Sequence, residues 1–215
     1  ASTSEIYTEG LHKGDYRLLV LGIKGNAAED KAVIYTPERI QDEWLVFPED
    51  LQKPLEAEYF YSQTPFSIIE EQTADGIKET ASIPNEIAQK RIISRVDFDF
   101  SYHNPYVRNA VTDKNLSFGN VQFYTTLAGN GELSGESNGT LDPVSLNQKT
   151  SYFFMPVCSG SSLNGNITIS TRNYRKEERR QVYGFEHTTL NGNHIHHIET
   201  TVTHPDDKDI VMFIT

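Results

Sequence analysis

The stretch that most constrains the fold runs from Arg91 to Tyr102 and reads RIISRVDFDFSY. From position 95 onward, polar and apolar residues alternate strictly. The apolar set is Val96, Phe98, Phe100 and Tyr102, and the polar set is Arg95, Asp97, Asp99 and Ser101. Successive side chains of a β-strand point to opposite faces, so this pattern is typical of a half-buried strand. The sequence therefore predicts a strand here with one face on a core and the other toward solvent.

Similar short apolar runs recur along the rest of the chain, separated by turn signals. Predicted strands fall at 16–23, 31–36, 44–47, 56–62, 66–71, 76–83, 116–127, 151–157, 166–176, 180–189, 194–204 and 209–214. The 116–127 segment is either a strand pair or one long strand with a bulge at Gly119. Helical structure is predicted only as single turns: one is predicted at 85–88, and 103–111 is either a loop or one helical turn. This spacing of strands and turns predicts an all-β sandwich rather than β-α-β units.

The chain length of 215 residues allows one large β domain or two small ones. A turn-rich segment, 74–84, precedes the alternating strand, so we place a domain boundary between Gly76 and Gln89. The prediction is two β-sandwich domains in tandem, residues 1–85 and 86–215. Each is large enough to bury its own core.

Charge and hydropathy exclude several classes of function. The net charge is −11 and the pI about 5.0, whereas a nucleic-acid-binding face must be basic. The local basic cluster, Arg172–Arg180, is interleaved with acids; we interpret it as solvated, with an anionic-ligand patch as the alternative. The apolar runs are too short for the roughly 20 residues of a membrane-spanning helix. The one cysteine, Cys158, cannot form an intrachain disulfide and is expected to be a small, partly buried side chain.

Three histidines near the C-terminus form the candidate metal site. His194 and His196 would share a strand face at about 7 Å, and His187 could sit on the neighbouring strand across the Asn191–Gly192 turn. The alternative is a polar outer strand face whose apolar side carries Ile195 and Val202. We favour that alternative, because no accompanying metal-binding motif is present. No metal and no cofactor are therefore predicted.

Catalytic motifs are sparse. Asp97 and Asp99 share a strand face, as the paired carboxylates of a glycosidase can, but outward acids beside Arg95 explain the pattern more simply. The acidic run at 205–209 is interpreted as a tight turn rather than a calcium loop, because it lacks the loop's glycine and terminal glutamate. No nucleophile elbow or phosphate-binding loop occurs in the sequence. We expect a protein that is not an enzyme.

Several segments, in order along the chain, resemble the fimbrillin superfamily of Bacteroidales. They are YRLLVLGI at 16–23, EYFYSQTPFSI at 58–68, RIISRVDFDFSY at 91–102, FFMP at 153–156 and LNGNHIHHIETTV at 190–202. These are loose patterns rather than catalytic signatures. The resemblance extends, weakly, to the anchor-type subunits of the superfamily.

The resemblance implies two transthyretin-like sandwich domains and a surface pilus subunit or anchor. It also implies a lipid-anchored precursor at the outer membrane, although the lipid-bearing cysteine is absent from this chain. Its expected partners are other pilus subunits, joined by donor-strand exchange, together with host or bacterial surface ligands. The candidate exchanged strand is the apolar C-terminal run, with Ile210, Met212 and Ile214 on one face. Stalk, tip and anchor roles stay open.

Two other functions are considered as alternatives to adhesion. A carbohydrate-binding β-sandwich of a glycan-uptake system would present exposed tyrosines that stack on sugar rings. A glycosidase would depend on Asp97 and Asp99. Most aromatic residues, including Trp44, are expected in the core instead.

Overall fold

The fold of the computed structural model is almost entirely β-sheet. The structure describes residues 10–35, 38–137, 140–173, 175–187 and 189–203. The predicted all-β class is confirmed. The number of sandwich domains stays a prediction.

The described part of the chain contains fifteen strands and two short helices. The strands are β1 (Gly14–Gly25), β2 (Val33–Ile34), β3 (Leu45–Val46), β4 (Ala57–Thr73), β5 (Gly76–Ala81), β6 (Lys90–Arg91), β7 (Ser94–Tyr102), β8 (Val111–Phe118), β9 (Thr126–Leu127), β10 (Leu133–Ser134), β11 (Val144–Ser145), β12 (Ser151–Phe154), β13 (Leu163–Arg172), β14 (Glu178–His187) and β15 (Ile195–Val202). The helices are α1 (Ala27–Asp30) and α2 (Pro105–Ala110).

The strands form four open sheets. One sheet has the order β1-β4-β5, with β6 also paired to β4, and a second has the order β10-β9-β3-β2. The other two are β11-β8-β13-β14 and β12-β7-β15. Nearly all pairs are antiparallel, and the β7–β15 pair is parallel.

Hydrogen bonds cross the predicted boundary at residues 85 and 86. Strand β3 pairs with β9, so Leu45 lies opposite Leu127. The Leu55 amide also donates to the Phe153 carbonyl at 2.9 Å. One buried apolar cluster includes residues from both sides of the boundary. Any division there therefore runs through a shared sheet and a shared core.

The longest strand, β4, corrects the prediction of two strands at 56–62 and 66–71. It continues through Pro65, which lies opposite Arg17 of β1. Proline is excluded from strands hydrogen-bonded on both sides, because it has no amide proton to donate. On one side of β4, the pairing with β6 ends at Tyr61 and the pairing with β5 begins at Ile68. That side of β4 is therefore open at Pro65.

The start of β4 is anchored by a buried carboxylate, Asp30. Its oxygens accept hydrogen bonds from the amides of Glu56 (2.7 Å) and Ala57 (3.1 Å) and from the Tyr59 hydroxyl (2.9 Å). Burial raises the pKa of Asp30, and the three hydrogen bonds oppose that effect. Burial and the hydrogen bond to Asp30 also raise the pKa of Tyr59. The short helix α1 thereby fixes where β4 begins.

The alternation predicted for the 95–102 segment is confirmed in β7. Val96 and Phe98 are buried, whereas Asp99 and Ser101 are exposed; Asp97 is the exception, a polar-face residue that is buried. Trp44, which was expected in the core, is buried, and so is Cys158, which was expected to be partly buried. In β7, period-two patterning therefore identified the inward-facing apolar side chains Val96 and Phe98 correctly.

The prediction that the strands on either side of the Asn191–Gly192 turn are neighbours is wrong. Strand β15 does not pair with β14; it crosses to the other sheet and runs parallel to β7, with Ile195 opposite Arg95. The face assignment changes as well, because Ile195 is exposed whereas Ile198 and Val202 are buried. Residues seven apart cannot share a strand face, which is why the pairing of Ile195 with Val202 failed.

Two smaller predictions are also corrected. The 116–127 segment is not one long strand, since β8 ends at Phe118 and β9 begins at Thr126. No helical turn forms at 85–88. The turn at 103–111 does form, as α2, where Asn104 accepts a hydrogen bond from the Val107 amide at 3.0 Å and Pro105 occupies the first turn.

Adjacent phenylalanines in β12 provide a test of the core. Phe154 is fully buried and contacts the rings of Phe118 and Phe123, with centroid distances of 5.8 and 5.9 Å. We expect Phe154→Ala to lower the free energy of unfolding by about 3–5 kcal/mol. Phe153→Ala, on the opposite and partly exposed face, should cost about 1 kcal/mol. Urea unfolding followed by fluorescence measures both, and equal losses would contradict this assignment of the core.

Candidate functional site

Strand β7 is paired unequally on its two sides. On one side β15 accompanies it from Arg95 to Tyr102. On the other side β12 covers only Ser94–Asp97, and the last contact is the Phe98 amide donating to the Thr150 carbonyl at 2.8 Å. Within the described residues, no strand pairs with that side of β7 beyond Phe98.

Strand β8 of the facing sheet has a similar open stretch. The short strand β11 pairs with it only at Asn115 and Leu116. The Leu146 amide donates to the Lys114 carbonyl at 2.8 Å, and the Asn147 side chain accepts from the Lys114 amide at 3.0 Å. In the described part of the chain, the β8 edge before Lys114 has no strand on that side.

Between these two open edges lies a cavity of about 600 Å³, which we call the edge groove. It is lined by Phe98, Asp99, Phe100, Tyr102, Arg108, Val111, Thr112, Lys114, Asn147 and Thr150. Helix α2, which connects β7 to β8, contributes Arg108. The groove therefore exists because both sheets lose their edge partners at the same place.

Aromatic and basic side chains are combined in the edge groove. The Lys114 ammonium lies 4.5 Å from the centre of the Phe100 ring, a cation–π contact. Burial lowers the pKa of Lys114. Burial raises the pKa of Tyr102, and the nearby charge of Arg108 opposes this. The groove can thus offer hydrogen-bond donors, positive charge and aromatic surface to a ligand.

Sequence analysis did not identify this groove. Phe100 and Tyr102 were assigned to the inner face of β7, but the sequence analysis did not predict that β12 is the partner of β7 or that the pairing ends at Ser151. A signal was available in the polar run NQKT at 147–150, since this segment cannot continue as an apolar edge strand.

The three histidines of the candidate metal site are only partly brought together. His187 and His196 meet across the sandwich, because β14 and β15 belong to different sheets. His187 Nε2 lies 2.8 Å from His196 Nδ1, so one ring donates a hydrogen bond to the other. His194 precedes β15 and its ring centre is 6.0 Å from that of His196, while its Nδ1 contacts the Gly192 carbonyl at 2.7 Å.

The geometry of this pair is that of a hydrogen bond. Two imidazole nitrogens bound to one tetrahedral zinc lie about 3.3 Å apart, which follows from zinc–nitrogen distances of about 2.0 Å. No group of three or more His, Cys, Asp or Glu residues in the described part of the chain is arranged to hold a metal ion. Burial lowers the pKa of both His187 and His196, and the neighbouring ring adds to this at His196.

The carboxylates considered for glycosidase chemistry have separate partners. Arg95 donates two hydrogen bonds to Asp97, at 2.7 and 2.9 Å. Burial works to raise the pKa of Asp97, but hydrogen bonds from Arg95 and Ser151 bring it below the ordinary value. Asp99 instead lies 2.8 Å from His197 Nδ1 on the exposed face. The prediction that Asp97 lies beside Arg95 is confirmed, but the prediction that it points outward is wrong, because Asp97 is buried.

Two remaining candidates fall elsewhere. The C-terminal run with Ile210, Met212 and Ile214, and the acidic turn at 205–209, lie outside the described residues. The basic cluster forms the exposed end of the β13–β14 hairpin, where Arg172 pairs with Glu178 at 2.9 Å and Arg179 with Glu177 at 3.4 Å. Its charges are thus partly neutralised within the hairpin.

No helix in the described part of the chain has the length and apolar character needed to cross a membrane.

The histidine pair predicts a dependence of stability on acid pH. In the unfolded chain both imidazoles accept protons near pH 6.5, whereas in the folded protein they do so only at lower pH. The free energy of unfolding should therefore fall as the pH drops from about 7 to about 5. His187→Gln should reduce that fall, as measured by urea unfolding at both pH values.

His103→Gln is the matched control, because His103 is exposed and outside the pair. It should leave the pH dependence unchanged. A parent-like fall in the His187→Gln variant would contradict the assignment.

Comparison with known proteins gives limited results. No protein-family model matches the chain, and no curated protein matches it. Among solved structures, the chain is similar to a Bacteroides fragilis protein described as a "putative cell adhesion protein". The sequence identity is 10% and the TM-score 0.35, over 95% of this chain and 84% of the other. A family relationship is not established at these values.

Proposed function

We propose that this protein is a non-catalytic adhesion component of the cell surface, a fimbrillin-like pilus subunit or anchor at the outer membrane. In this proposal it joins other subunits by β-strand complementation. The observation that carries the proposal is the edge groove, where two sheet edges lose their partners side by side.

An unpaired edge presents a row of backbone donors and acceptors to an incoming strand. Such a row runs along residues 99–102 of β7, where the amides and carbonyls of Phe100 and Tyr102 face the open side and those of Asp99 and Ser101 face β15. It continues the line along which β12 is already paired. A strand from another subunit can extend the sheet there by main-chain hydrogen bonds.

Side chains of the incoming strand would give selectivity. Every second side chain would point into the edge groove, against Phe100 and Tyr102. The open row is about four residues long, so we expect a short donor segment. The basic groups of Arg108 and Lys114 favour a donor that carries an acidic or hydrogen-bond-accepting side chain beside its apolar ones.

The first prediction of this proposal concerns heat-sensitive polymers. Sheared surface material and the outer-membrane fraction of the native organism are run on a denaturing gel without boiling and probed with an antibody to this chain. We expect a ladder that collapses on boiling, because strand-complemented subunits separate only when they unfold. A monomer-sized band in both fractions would contradict polymerisation, and retention of that band in the membrane would favour an anchor.

A variant that fills the edge groove tests whether the polymer ladder depends on that groove. Thr112 is exposed and lines the edge groove, so Thr112→Trp fills the groove without removing a core contact. Expressed in the native organism, it should abolish the ladder. Thr189→Trp makes the same change at an exposed position that does not line the groove. An unchanged ladder in Thr112→Trp would exclude the groove as the strand acceptor.

Carbohydrate binding is the second candidate function, favoured by the polar part of the groove lining. Arg108, Lys114 and Asn147 lie beside the rings of Phe100 and Tyr102. Aromatic faces together with a few polar groups are what sugar-binding surfaces use.

Retardation on a native gel containing polysaccharide tests this second candidate. If sugar binds in the groove, Arg108→Gln should weaken the retardation by about tenfold, which corresponds to one charge-assisted hydrogen bond. Arg179→Gln, at an exposed position outside the groove, should have no effect. Free migration of the parent protein across a panel of polysaccharides would exclude this function.

A further inference from the structure

Strands β5 and β14 are edge strands of two different sheets. Strand β5 ends the order β1-β4-β5, and β14 ends the order β11-β8-β13-β14. Nothing in the described part of the chain pairs with the outer edge of either strand. The two strands do not pair with each other within one molecule, so any contact between them must join two copies.

The backbone of β5 shows which of its residues point outward. The Ser82 amide, which follows β5, donates to the Ser67 carbonyl of β4 at 2.9 Å. Hydrogen bonding alternates along an antiparallel strand, so even-numbered residues of β5 bond to β4. The amides and carbonyls of Ile77, Glu79 and Ala81 therefore face away from the sheet.

The same argument applies to β14. The Asn173 amide donates to the Glu177 carbonyl at 3.0 Å, where the β13–β14 hairpin closes. Odd-numbered residues of β14 therefore bond to β13. The amides and carbonyls of Glu178, Arg180 and Val182 face outward.

We propose that the β5 edge of one molecule pairs antiparallel with the β14 edge of a second copy, with Glu79 opposite Arg180. In this register Ile77 lies opposite Val182 and Ala81 opposite Glu178. All three pairs join outward-facing residues, so the main-chain hydrogen bonds of both edges match. The result is a continuous sheet that passes from one molecule to the next.

Charge complementarity supports this register. Within the β4–β5 ribbon, Glu70 lies directly opposite Glu79, which is an unfavourable pair of like charges. Arg180 is exposed and has no ion-pair partner in the described part of the chain. Docking places its guanidinium against Glu79, with Glu70 one strand further on. The positive charge of Arg180 thereby offsets the repulsion between Glu70 and Glu79 and attracts the second copy.

The apolar side chains agree as well. Ile77 is 66% exposed and Val182 is 51% exposed, which makes them two of the most exposed large apolar side chains described. Each lies two residues from the charged partner on the same strand face. The proposed register covers both with each other.

Identical edges would pair poorly. A symmetric β5–β5 contact centred on residue 79 puts two Glu79 side chains opposite each other, and the corresponding β14–β14 contact does so with two Arg180 side chains. The favoured contact therefore joins unlike edges and leaves one of each free, which allows growth from head to tail. A second copy of this chain is therefore a partner in the proposed assembly. The biological role of this contact, but not the contact itself, rests on the proposed adhesion function.

Charge reversal in the full chain tests the contact. Sedimentation velocity, over about 1–500 µM protein at low salt, should show reversible association that weakens at about 0.5 M NaCl. Glu79→Arg and Arg180→Glu should each weaken self-association by about tenfold. The double variant, which restores opposite charges, should recover most of the parent affinity.

Glu86→Arg is the matched control, because it makes the same charge change at an exposed position outside the ribbon. It should associate like the parent. The proposal fails if the parent stays monomeric throughout, if the control is weakened equally, or if the double variant does not recover.

The outcome is distinguishable from that of the assembly test above. The heat-sensitive ladder depends on Thr112 and the edge groove, whereas this association is reversed by salt and depends on Glu79 and Arg180. A ladder without salt-sensitive association would overturn the edge pairing and leave the strand-complementation proposal standing. Salt-sensitive association without a heat-sensitive ladder would overturn the strand-complementation proposal and leave the edge pairing standing.

Discussion

The rest of the structure depends on the hydrogen bonds that Asp30 accepts at the start of β4. A carboxylate with this little access to water is costly unless its oxygens are satisfied, and here two amides and the Tyr59 hydroxyl satisfy them. Tyr59 also packs edge-on against Phe47 at 5.0 Å, which connects the anchor to the shared core. Because the start of β4 is held in this way, its C-terminal part can extend beyond the core, where it pairs with the fully exposed strand β5.

The function we propose depends on open sheet edges more than on side-chain chemistry. Most soluble β proteins cover or charge their edges to avoid pairing with neighbours. Here the ends of β7 and β8 flank a groove, and the edges of β5 and β14 carry complementary charge. The strand contacts we propose with other subunits follow from these unfinished edges.

The sequence predicted the strands and their inward faces well, because both are local properties of period-two patterning. It failed where partners had to be chosen. The turn before β15 has the composition of a hairpin, yet the strand joins β7, since burial of Ile198 and Val202 decides the outcome. The edge groove was missed for the same reason: it is defined by where β12 and β11 stop, and no pattern within β7 or β8 encodes that.

The parallel pairing of β7 with β15 also has a consequence for biogenesis. Ser101 and Thr201 share a hydrogen bond although they are 100 positions apart. Strand β7 must therefore wait for most of the chain to be synthesised before this partner is available, and contacts of such sequence separation make folding slow. During that interval the edge of β7 that β15 covers is accessible to other strands, which exposes the chain to premature aggregation.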